Sequence, residues 1–70
     1  MLDTMARISG KKLREARDRR LLSQRELAEK AGLSPTTILK LEDDRVKEPH
    51  PRTIRKLAKA LEADPADLVE

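Results

Sequence analysis

Apolar residues in this chain recur at spacings of three, four and seven rather than two, a period that predicts helices with one buried stripe. Ser9 as N-cap, with Ile8 stapled onto Leu13, predicts a first helix over 10–20. It turns Leu13, Ala16 and Arg17 inward and sets Arg19 and Arg20 at the negative end of its dipole. Ser23, followed three residues later by Glu26, is a capping box that opens a second helix over 24–31. Leu27, Ala28 and Ala31 form its inner stripe, and Gly32 ends it. Ser34 and Pro35 open a third helix over 35–42, with Ile38, Leu41 and one edge of Glu42 buried. Its other face carries Thr36, Thr37, Leu39 and Lys40. Two prolines and charges of both signs over 43–51 predict a solvated connector. Ile54, Leu57, Ala58 and Leu61 then mark a fourth helix over 52–62, and Asp64-Pro65 caps a last turn ending at Leu68-Val69. Residues 1–7 are expected to fray, leaving a single all-α domain over 8–70.

Only Gly32-Leu33-Ser34 separates the second helix from the third, so these two must cross steeply. A close crossing needs small side chains at the contact. Ala28 and Ala31 stand there, with Gly32 free to take a positive φ at the corner. Leu33 behind the turn and Ile38 one turn into the next helix would lock the angle.

Composition narrows the chemistry. There is no cysteine and a single histidine, His50, so neither a disulfide framework nor an ordinary zinc or other metal site is available. With one imidazole, two glycines and no phosphate-cradling loop, the chain is expected not to be an enzyme and to need no cofactor. No Phe, Tyr or Trp is present, which removes the stacking platforms that hold single-stranded DNA or RNA. A nucleic-acid partner would therefore be a duplex. Apolar runs reach only two residues, as at Leu21-Leu22, so no membrane span or signal core is read. A small domain without disulfides fits a reducing cytosol, so a cytoplasmic location is expected. The net charge is +3, but it is unevenly placed: Arg7 to Arg25 holds eight Lys or Arg against Glu15 and Asp18.

The run from Leu22 to Ser34, followed by Ile38, Leu41 and Glu42, resembles the phage-repressor or Cro-type helix-turn-helix family. Leu13, Arg14 and Arg17 extend the similarity on one side. Pro49, Thr53, Leu57-Ala58, Leu61, Pro65 and Leu68 extend it on the other. The resemblance implies a compact five-helix lambda-repressor-like domain, a sequence-specific regulator of repressor type, inserting helix 35–42 into the major groove of double-stranded DNA. Pro35, Thr36 and Lys40 match family positions that meet base edges. Lys40 could donate to guanine, the Thr36 methyl could rest on thymine, and Leu39 could press on sugar or a thymine methyl. Ser23, Gln24, Thr37, Arg45 and Lys47 are the candidate phosphate contacts, Gln24 matching the family residue at the start of the second helix. Arg17 and Glu42 match a family ion pair joining helices one and three.

The chain departs from the family pattern in the loop, where Asp44 replaces a usual glycine beside Asp43, and Glu48 replaces a residue often basic. These carboxylates are expected to weaken non-specific binding, although Asp tolerates a left-handed turn. A homodimer on a palindromic operator is the expected assembly, with no small-molecule ligand, since no sensing domain is encoded here. The rival reading is a protein-interaction module of the same fold, such as an antitoxin-like partner or an adaptor. The polar face of helix three favours DNA, and exposed Leu39 with the acidic loop favours the rival.

Overall fold

The computed structural model describes residues 7–70. Four α-helices follow in order: α1 (Gly10–Arg19), α2 (Gln24–Ala31), α3 (Pro35–Glu42) and α4 (Pro51–Leu61). The expected fifth helix is a single 3₁₀ turn, Pro65–Leu68, because Val69 leaves it in an extended conformation to pair with Ile8.

The capping residues act as their types dictate. Ser9, Ser23 and Ser34 each accept from a backbone N–H in the first turn of the following helix, and both halves of the Ser23–Glu26 capping box are formed. Gly32 ends α2 at φ +70, while Leu33 N–H returns to the Ala28 carbonyl at 2.8 Å. α1 stops one residue before the expected boundary, at an Arg20 cap. α4 starts one residue earlier than expected: Pro51 supplies its first position and His50 Nδ1 accepts from Arg52 N–H at 3.0 Å.

Leu13, Leu27, Ile38, Leu41, Leu57, Leu61 and Leu68 are fully or almost fully buried in one core, where Ala28 and Ala31 let α2 approach α3 closely. Ile8 joins this core. Arg7, the last residue of the arm expected to fray, is the first described residue, and its carbonyl accepts from Glu70 N–H at 2.8 Å. The bridge of Ile8 to Val69 holds this segment, and residues 1–6 of the expected frayed arm lie outside the described residues. The connector is mostly exposed, as expected, but Pro49 is buried and the Lys47 carbonyl accepts from Ile8 N–H at 2.9 Å. Among the described residues, no helix is long and apolar enough to cross a membrane.

Candidate nucleic-acid interface

The steep corner between α2 and α3 leaves one face of α3 outside the core. Pro35, Thr36, Leu39 and Lys40 are all exposed on this helix. Thr36 and Lys40, four residues apart, lie one above the other. Leu39 keeps 39% of its surface, one of three large apolar residues so exposed among those described. Thr37 lies toward the flank and is half-buried; its hydroxyl shares a 2.9 Å hydrogen bond with that of Ser34.

Behind this face, Glu42 ties three helices together. Its carboxylate has no exposed side-chain surface. Arg17 Nε donates to Oε2 at 2.6 Å and Arg17 Nη2 donates to Oε1 at 3.0 Å, a two-pronged pair between α1 and α3. Arg17 Nη1 also donates to the Leu22 carbonyl at 2.7 Å, fixing the lead-in to α2. The expected pair of Arg17 and Glu42 is thus formed. Gln24 Nε2 donates to Glu42 Oε1 at 3.0 Å, which turns the side-chain amide of this candidate phosphate contact inward. Burial pushes the Glu42 carboxyl up, but the hydrogen bonds from Arg17 and Gln24 and the charges of Arg17 and Arg14 outweigh it. The net effect holds the carboxyl below the usual carboxylate range. Reciprocally, donating to the Glu42 carboxylate raises the pKa of the Arg17 guanidinium.

Arg14, part of the family resemblance but not of the candidate contacts, also reaches Glu42. Its Nε lies 3.6 Å from Glu42 Oε1 while the side chain stays more than half exposed. The i, i+3 spacing of Arg14 and Arg17 was the available signal, since both reach over one face of α1.

On the other flank, Arg45 Nη2 donates to Asp43 Oδ2 at 2.9 Å, so a neighbouring carboxylate partly neutralises this candidate contact. Lys47 is exposed and has no ion-pair partner among the described residues. Asp44 takes the left-handed conformation at φ 60 that the turn requires. Its Oδ1 accepts from Gly10 N–H at 3.1 Å, so this carboxylate holds the start of α1. Ser23 Oγ is occupied as a cap by Glu26 N–H at 3.0 Å, and the Ser23 backbone and hydroxyl hold the Glu26 carboxyl below its usual range.

Comparison with known proteins follows this geometry. The family model described as Helix-turn-helix matches residues 13–68. No curated protein sequence matches the chain. Among solved structures, the restriction-modification controller protein C.AhdI from Aeromonas hydrophila is 34% identical, with a TM-score of 0.79, over 83% of this chain and 86% of that one. The P22 c2 repressor protein, solved in complex with a synthetic operator, is 28% identical with a TM-score of 0.74, over 80% of this chain and 83% of that one. A hydroxyethylphosphonate dioxygenase matches at 26% identity and a TM-score of 0.79 over 91% of this chain, but only 14% of that protein is covered. The fold thus also occurs as a small part of an enzyme. With most of its length matched by the family model, and with a controller protein and a phage repressor as structural neighbours, the chain belongs to the helix-turn-helix family of the phage-repressor, Cro type.

Proposed function

We propose that the chain is a sequence-specific double-stranded DNA-binding transcriptional regulator of repressor type, with α3 as the helix that enters the major groove. The observation that carries this reading is the exposed face of α3, small and polar at Thr36 and basic at Lys40, on a helix anchored from behind by Glu42. Such a face fits a groove roughly 12 Å wide that bulky side chains would block. The P22 c2 repressor, a relative across most of the chain, is solved on an operator, which supports the same partner here.

Pro35, Thr36 and Lys40 are assigned to base edges, with Leu39 beside them against sugar or a thymine methyl. Phosphates are assigned to Ser23 and Gln24 at the start of α2, to Thr37 on the α3 flank, and to Arg45 and Lys47 in the loop. With one hydrogen of the Gln24 amide on Glu42, its backbone N–H and the second amide hydrogen are left for a phosphate. Arg14 joins this set through its exposed guanidinium. A homodimer on a palindromic operator completes the reading, since two copies related by a two-fold axis read two half-sites.

Selection of bound duplexes from a random pool tests it. Enrichment of a palindromic motif, with half-sites about 10 base pairs apart, is the expected result. Absence of any enriched motif would contradict sequence-specific binding. The exposure of Leu39 favours a second reading, a protein-docking module of the same fold, and that reading predicts no enrichment.

A further inference from the structure

α4 carries Arg52, Arg55, Lys56 and Lys59 and no carboxylate. At about 100° per residue these four cations fall within an arc of about 100°, turned away from the buried stripe of Ile54, Leu57, Ala58 and Leu61. All four are exposed, and among the described residues none has a carboxylate within 4.0 Å. The arrangement works against the helix that carries it. Arg52 repels Arg55 and Lys56, and Lys59 repels the same two, at the i, i+3 and i, i+4 spacings where an acidic partner would stabilise. Arg52 also stands in the first turn, at the positive end of the dipole, where α2 has Glu26. Nothing among the described residues offsets this repulsion, so the stripe points to a partner outside the chain.

We propose that this stripe holds the phosphate backbone of a second DNA duplex, so that the protein joins the duplex read by α3 to another, without reading the sequence of the second. From Arg52 to Lys59 the helix rises about 10.5 Å, or about three phosphate intervals along one strand. The four cations are the only exposed residues of α4. An acidic helix docking there would find no apolar anchor between them, whereas a phosphate backbone needs charge alone. Without Phe, Tyr or Trp the stripe has no ring on which to stack the bases of a single strand, which leaves a duplex. The stripe is also separate from the reading helix. α3 packs on α1 and α2, while α4 packs on α2 and the last turn, and the outward faces of the two helices leave the shared core on different sides. The inference goes beyond the reading of α3 and rests on it only for the first duplex.

Resonance energy transfer tests the proposal, between a donor-labelled selected duplex saturated with protein and an acceptor-labelled duplex of random sequence. Anisotropy of the donor duplex first shows that it is loaded. The protein then brings the two labels together, and with four cations engaged this second association weakens about a hundredfold between about 50 and 200 mM salt, a log–log slope of roughly −3.5. Lys56→Gln combined with Lys59→Gln weakens the second association by roughly tenfold or more and about halves its slope, while affinity for the first duplex stays within about twofold. Because the exchange also removes repulsion within α4, the double variant melts no earlier than the original by circular dichroism. Absence of transfer at about 50 mM salt would overturn the proposal. So would transfer that survives the double exchange, or an equal loss of affinity for the first duplex, which would lay the stripe on that same duplex. Chemical-shift changes along α4 with a Glu-rich peptide but not with the random duplex would assign the stripe to an acidic protein and overturn it as well. If the selected duplex fails to load, the reading of α3 fails instead. Titration of the chain with the random duplex alone then decides the stripe: shifts along α4 are expected, and their absence would contradict it.

Discussion

Glu42 is a carboxylate without exposed side-chain surface, and both of its oxygens accept hydrogen bonds, from Arg17 on α1 and Gln24 on α2. Removing one member of such a pair leaves the other charge buried and uncompensated. Glu42→Ala is therefore expected to cost about 3 kcal/mol, and a double-mutant cycle with Arg17→Met in urea should return a coupling of at least about 2 kcal/mol. The same pair sets a pH dependence. Since the folded-state carboxyl lies below the ordinary value of 4.5, its contribution is fully present above that value and is lost as pH falls through the folded value. Glu42→Gln should flatten that acid limb of the stability curve, followed by helical circular dichroism because no aromatic signal exists. The Arg17–Glu42 pair was legible in the sequence because a cation and a carboxylate fell on two facing buried stripes. The inward turn of Gln24 was not, since a first-turn amide can face solvent or core and the α2–α3 crossing decides which. Leu21 presents the opposite case, a leucine 90% exposed and held at φ 57 after α1. A left-handed leucine carries a strain of about 1–2 kcal/mol that glycine lacks, partly offset by the greater freedom of glycine in the unfolded chain. Leu21→Gly should raise stability by about 0.5–1 kcal/mol, roughly 2–8 °C in Tm for a domain of this size.

Between elements, α1 approaches the end of α3 closely at Gly10. A Cβ on Gly10 would meet the backbone carbonyl oxygens of Glu42 and Leu41, and Asp44 Oδ1 as well. Carbonyls at a helix end cannot step aside as a side-chain tip can, so Gly10→Ala should destabilise by about 2–3 kcal/mol, measured by urea unfolding. Asp44→Ala should cost about 1 kcal/mol by removing the cap on Gly10 N–H, and a carboxylate that merely repelled phosphates would cost no stability when removed. Helix existence and most boundaries were readable because Ser9, Ser23, Ser34 and Gly32 are local signals that act within one turn. The pairing of Ile8 with Val69, and the link from Ile8 to Lys47, join segments distant in sequence. No local pattern encodes such contacts, so the sequence shows a last turn ending at Leu68-Val69 but not the pairing that holds it. The sequence likewise shows the charge of Asp44 and its tolerance of a left-handed turn but not its hold on Gly10, because that partner lies 34 residues away.

For the whole molecule, charge and symmetry decide the behaviour on DNA. With about three cationic phosphate contacts per copy, drawn from Arg14, Arg45 and Lys47, a dimer should show a log–log salt slope of roughly −5. Lys47→Ala should flatten it by about 1 per copy while weakening all sequences alike, and a wild-type slope shallower than about −2 would take the basic surface off the DNA. Base reading and phosphate positioning differ in what they do to specificity, so the assignment of α3 rests on a ratio rather than an affinity. The ratio is measured by fluorescence anisotropy of labelled duplexes, comparing the selected site with a scrambled one. Thr36→Ala and Lys40→Ala should each lower it by roughly tenfold or more, since a base-edge contact carries about 1–3 kcal/mol of discrimination. Thr37→Ala should lower both affinities and leave the ratio nearly unchanged. If the ratio stayed constant for both Thr36→Ala and Lys40→Ala with folding intact, α3 would not be the reading helix.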